Sequence, residues 1–78
     1  MTNTYLLSKK IKDSGLKRGF IAEKLGISYD WLKKKIDNEV AFKAIEIQIL
    51  CDLLGITDLH EKERIFFAMN VEEISTCN

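Results

Sequence analysis

The chain has no proline and only four glycines in 78 residues. With so few breakers, long periodic segments run uninterrupted, which favours an all-helical fold. No apolar run approaches the roughly 18 to 20 residues that span a bilayer, so no membrane segment is expected. The N-terminus lacks a charged stretch followed by an apolar core, so no secretion signal is expected either. Histidine occurs once, at His60, beside a helix start where capping or solvent exposure accounts for it. There is no Ser/His/Asp set, glycine-rich phosphate loop or metal-ligand spacing, which argues against an enzyme and against any metal or other cofactor. The two cysteines, Cys51 and Cys77, read as free thiols in a reducing cytoplasm, and the apolar segment around Cys51 argues for burial rather than nucleophilic use. The aromatics are scattered and form no stacking platform of the kind that reads single-stranded RNA. No repeat, low-complexity tract or linker divides the chain, so residues 1–78 are expected to form one domain with a thin stability margin.

Charge is abundant and unevenly placed. The formal net charge is zero, yet residues 1–43 hold ten basic and five acidic residues while residues 44–78 hold two basic and seven acidic ones. One half can face a polyanion while the other is repelled by it. The apolar pattern and its caps predict five helices. The first covers about Thr4 to Ser14, with Leu6, Leu7 and Ile11 on its stripe and Gly15 as its stop. Leu16 is a buried loop anchor. Helix two covers about Arg18 to Leu25, and helix three about Tyr29 to Asp37 with Ser28 as its N-cap. A turn at Asn38 to Ala41 leads to helix four, about Lys43 to Leu54, ending at Gly55. Asp58 to Glu61 reads as a capping box that opens a fifth helix reaching about Asn70, followed by a short acidic tail that frays.

The most informative stretch is Arg18 to Asp37, which reads as two short helices joined by a tight turn. Ala22 lets the helices approach closely, and Gly26 accepts the left-handed backbone that reverses the chain. A helix-turn-helix presents its second helix to DNA in this way. At about 100° per residue, Tyr29, Asp30, Lys33, Lys34 and Asp37 share one arc of roughly 140°, while Leu32 and Ile36 can pack inward on Ile21 and Leu25. Trp31 and Lys35 fall outside that arc. Lysine amines reach guanine acceptors or phosphates, Tyr29 a thymine methyl or a phosphate, and Asp30 a cytosine amine. Asp30 and Asp37 also oppose non-specific attraction and so sharpen selectivity. Ser28 stands at a helix N-terminus, which favours phosphate, and Lys17 and Arg18 stand at the start of helix two, where phosphate is commonly clamped.

On these residues the sequence resembles the Cro/C1-type helix-turn-helix family, the DNA-binding domain of phage repressors and many small bacterial regulators. The resemblance covers about Leu6 to Ile56 and rests on Leu16, Ile21, Ala22, Leu25, Gly26, Ile27 and Leu32, and on the segment from Leu50 to Ile56. It implies a compact bundle of about five helices and a cytoplasmic location in a bacterial or phage-infected cell. Several residues depart from the family pattern. Lys17-Arg18 replace a common Thr-Gln, and the proline common before the fourth helix is absent. Lys35 stands where an apolar or aromatic residue often packs, so either it snorkels or Ile36 takes its place on a shifted helix. Phe20 and Trp31 replace more usual polar residues, and either pack together or mark a contact surface.

Helix four is apolar nearly all round. Ala44, Ile47, Leu50, Cys51 and Leu54 match inward positions, and Ile45, Ile49 and Leu53 form a second stripe. With Phe66 and Phe67 of helix five, that stripe is the expected surface of a homodimer, the alternative being that helix five covers it within one monomer. A two-fold dimer would set two recognition helices about 34 Å apart on successive major grooves of a near-palindromic site. The expected function is a sequence-specific double-stranded DNA-binding regulator, a phage-type repressor acting by occupancy. The alternative is a protein-interaction module, an antitoxin or anti-repressor, that uses the apolar surface of helices four and five on a protein partner.

Overall fold

The computed structural model describes residues 1–68, and these form an all-α bundle: α1 (Thr4–Ser14), α2 (Arg18–Leu25), α3 (Tyr29–Ile36), α4 (Ala44–Leu54) and α5 (Leu59–Phe66). The expected tail, Val71 to Asn78 with Cys77, lies outside the described residues. No helix among them is long and apolar enough to cross a membrane.

Local chemistry sets most of the boundaries. The side chains of Asn3 and Ser28 accept from the N–H groups of Leu6 and Trp31, at 3.0 and 3.1 Å, and so cap α1 and α3. The helices α2 and α4 end on the same Leu-Gly-Ile device. Gly26 and Gly55 take φ of 73° and 70°, and the next isoleucine donates back to the carbonyl five residues earlier, Ile27 to Ala22 at 3.0 Å and Ile56 to Cys51 at 2.9 Å. This is the Schellman closure, in which glycine adopts a backbone that costs any residue with a Cβ.

Two ends differ from expectation. Helix α3 stops at Ile36, and Asp37 is its C-cap rather than its last turn, because Asn38 turns to a φ of 67°. Helix α5 stops at Phe66, short of the expected Asn70 (itself outside the described residues). Its last helical bond runs from Phe67 N–H to Glu63, and the Ala68 N–H donates instead to the Met1 carbonyl at 2.8 Å. The N-terminal strand of chain thus competes for the backbone that would have extended the helix.

The reciprocal capping bond expected at Glu61 is also absent. Asp58 accepts from His60 N–H at 3.3 Å, but Glu61 pairs with Lys10 of α1 at 3.1 Å. The reciprocal bond forms at α4 instead, where Glu46 accepts from the Lys43 N–H at 2.8 Å.

The core is one cluster: Leu7 and Ile11 from α1, Ile21 and Ala22 from α2, Leu32 and Ile36 from α3, Ile47, Leu50, Cys51 and Leu54 from α4, then Ile56, Ile65 and Phe66. Leu16 and Leu25 pack half-buried against it. Helix α1 crosses α3, α4 and α5, and α2 lies between α3 and α4. Ala44, expected to face inward, is exposed because it opens the first turn of α4, before that helix meets the core. Phe66, expected on the outer surface, is 3% exposed and meets Phe42 edge to face with ring centroids 5.8 Å apart. It is therefore withdrawn from any subunit surface. Ile49 and Leu53 are half-buried, with Leu53 packed on the core, while Ile45 and Phe67 stand exposed.

Candidate nucleic-acid interface

Helix α3 carries the site, and its orientation follows from what it buries. Leu32 and Ile36 lie four residues apart, on one face, and both are fully buried. Lys35 is buried beside them and is 2% exposed. Its ammonium reaches Glu46 Oε1 of α4 at 2.7 Å and the Ala41 carbonyl at 3.1 Å, and sits 5.9 Å from the centre of the Phe42 ring. Neither outcome expected for Lys35 occurs. It does not snorkel to water, and Ile36 does not displace it: both are inside. A buried ammonium persists only when paired and hydrogen-bonded, and Glu46 and Ala41 supply both.

With that face fixed, the opposite one is exposed. Tyr29, Asp30, Lys33, Lys34 and Asp37 all face solvent, as their shared arc predicts, and Trp31 joins them at 43% exposure. The helical arc read from the sequence excluded Trp31, which was expected either to pack on Phe20 or to mark a contact surface. The signal that could have included it is Lys34 three residues on, whose ammonium lies 5.5 Å from the centre of the Trp31 ring. Phe20 and Trp31 do not pack together. Phe20, on the outer side of α2, has its own cation in Lys24 at 5.4 Å. Each of these two exposed rings, one on α2 and one on α3, thus has a lysine of its own helix over it.

The charges on α3 suit its dipole. Asp30 lies in the first turn and Lys33, Lys34 and Lys35 in the last. The Ser28 hydroxyl is exposed, and its oxygen accepts the Trp31 N–H, which leaves its own proton free to donate. Lys17 is the exposed N-cap residue of α2 and makes no side-chain cap bond. Arg18 is half-buried, and its Nη2 lies 3.5 Å from Ser8 Oγ of α1.

Other chemistry is sparse. Cys51 is buried in α4, and burial pushes its thiol up despite the opposing pull of Lys62, which disfavours the reactive thiolate. Among the described residues no three His, Cys, Asp or Glu side chains converge as metal ligands would. Comparison with protein-family models, with curated proteins and with solved structures finds no match to the chain.

Proposed function

We propose that this protein is a sequence-specific double-stranded DNA-binding regulator, a repressor that acts by occupying its site, and that α2, the Gly26 turn and α3 form a helix-turn-helix of the Cro/C1 type. The observation that carries the reading is the division of α3 into two faces. Leu32, Lys35 and Ile36 anchor one side while Tyr29, Asp30, Trp31, Lys33, Lys34 and Asp37 project from the other. A short helix held so firmly from behind can enter a major groove about 12 Å wide with its polar residues foremost. The basic first half of the chain, which contains α3, favours a polyanion, and the acidic second half would face away from it. In a homodimer, Ile45 and Phe67, which remain exposed, and the half-buried Ile49 and Leu53 would form the subunit contact.

The test is selection from a randomised duplex library at about 0.15 M salt, where most non-specific phosphate binding is suppressed. An enriched inverted repeat with half-sites about one helical turn apart is the expected result. Folded protein that enriches nothing would overturn the reading.

A second reading, a protein-interaction module of the antitoxin or anti-repressor kind, draws on a different observation. Leu59 is 64% exposed and Phe67 55% exposed, both contributed by the α5 region and remote in sequence from α3. Co-purification with a protein partner, without duplex binding, is the outcome that favours it.

A further inference from the structure

Three residues of α3 are buried, and they hold the helix in different ways. Leu32 and Ile36 are apolar, and α3 packs on α2 and α1. Apolar packing tolerates small slides and rotations: a core of the right volume loses its unique arrangement before it loses its stability. Lys35 is different. Its ammonium carries three donors and directs them across to the next segment of chain. One meets Glu46 Oε1 in the first turn of α4 at 2.7 Å and one the Ala41 carbonyl at 3.1 Å, with the Phe42 ring centre 5.9 Å away. The same end of α3 has one more directional contact, the Thr4 hydroxyl donating to the Ile36 carbonyl at 2.7 Å. Lys33 and Lys34, exposed on the outer side, immediately precede Lys35 in that last turn. A rotation of α3 that moved them would pull the buried ammonium off Glu46.

We propose that the Lys35–Glu46 pair is a positioning device for base recognition: it fixes the rotation and depth of α3 against α4, and so decides which duplex the protein prefers rather than how stably it folds. The inference rests on the DNA-binding reading and deepens it. Stability is a poor reason for the pair, because well-packed apolar residues of similar volume often serve as well or better. Attraction for DNA is no reason either. Lys35 is 2% exposed, so a phosphate does not reach its ammonium, and Glu46 balances its charge. What the pair supplies that leucine or methionine would not is direction. A hydrogen bond weakens steeply outside a narrow range of distance and angle, and a recognition site works only when held within about 0.5 Å and 10–20° of its geometry. Nor can Glu46 follow a displaced Lys35, because the same oxygen accepts the Lys43 N–H at 2.8 Å.

The experiment titrates the full chain and its Lys35→Met/Glu46→Leu variant with two duplexes, the selected site and a scrambled one, over a range of salt. The exchange leaves the net charge unchanged, so the scrambled duplex, held by phosphate contacts, should bind as before and with the same salt slope. Affinity for the selected duplex should fall about tenfold or more, as when a base pair is misread. Lys35→Met/Glu46→Gln keeps an oxygen for the Lys43 N–H while removing the link to α3, and it should lose the preference too. Ile65→Val, a core change on α5, should lower stability and leave the preference intact. Urea denaturation verifies that each variant is folded. A folded pair variant with unchanged preference overturns the positioning role and leaves the α3 reading intact. An equal loss of preference in Ile65→Val overturns it as well, because reduced stability would then account for the effect. Failure of both pair variants to fold also overturns it, since the pair would then serve the fold itself. A folded, unaltered chain that distinguishes no duplex overturns the reading of sequence-specific DNA binding, and the positioning role with it.

Discussion

The ammonium of Lys35, on α3, lies 2.7 Å from the carboxylate of Glu46, on α4, and both side chains are buried. The same carboxylate oxygen accepts the N–H of Lys43 and so closes the first turn of α4. One residue thus caps a helix and fastens its neighbour. Removing one partner strands the other charge in the core. Lys35→Ala should cost about 3–5 kcal/mol, whereas Lys35→Met with Glu46→Leu should be near neutral, offset only by the lost cap. Urea denaturation of the three proteins checks this, and equal losses in the single and double variants would refute the coupling.

The pair also sets a pH dependence. Burial by itself raises the Glu46 carboxyl, but the hydrogen bonds from Lys35 and from the Lys43 amide, together with the charges of both lysines, outweigh it and leave the group below its ordinary value. A carboxyl lowered on folding stabilises the native state above its unfolded value of about 4.3, and that contribution is lost as pH falls through the native value. Stability should therefore decline on the acid side of about pH 4.3, and Glu46→Gln should flatten that decline. Melting temperatures between pH 3 and 6 distinguish the two curves.

Asn38 supports a second junction. Its backbone is left-handed, its side-chain oxygen accepts the Thr2 N–H at 2.8 Å, and its amide donates to the Thr2 carbonyl. Asn38→Gly keeps the easy backbone but loses the clamp, while Asn38→Ala loses both. The glycine variant should lose about 1–2 kcal/mol and the alanine variant about 1 kcal/mol more. Hydrogen exchange at the Ala68 N–H, which donates to Met1, should accelerate in both.

Gly26 isolates the cost of backbone strain. A Cβ added there meets no atom within 4 Å, so only the φ of 73° opposes substitution. Gly26→Ala should cost about 1–2 kcal/mol and Gly26→Asn less, because asparagine tolerates the left-handed region. An alanine variant as stable as the unaltered protein would contradict the turn geometry.

On the proposed interface, Lys33→Ala or Lys34→Ala should weaken binding to the selected duplex by about 1–3 kcal/mol if the lysine reads a base. Trp31, the only tryptophan in the chain, offers a direct readout because it is exposed beside Lys34. Its emission should change when the selected duplex binds, and an unchanged spectrum at saturation would move the contact surface away from α3.

Much of this architecture was legible in local signals. Asn3, Ser28, Gly26 and Gly55 act through bonds spanning a few residues, so the helix starts and stops they set can be read from the chain. The α3 arc was equally accessible, because helical periodicity alone separates Leu32 and Ile36 from Tyr29, Lys33 and Lys34. What escaped depended on partners distant in sequence. Lys35 was expected to snorkel or to give way to Ile36, and only Glu46, brought against it from another helix, lets its charge stay inside. Phe66 looked like subunit surface until Phe42 met it edge to face, and Glu61 looked like a cap until Lys10 claimed it. The length of α5 was settled by the carbonyl of Met1, at the opposite end of the described chain. Caps, turns and periodicity are local free energies that a short window contains. The fate of a charge or an aromatic ring depends on what the fold places opposite it, and that is decided only when the helices pack.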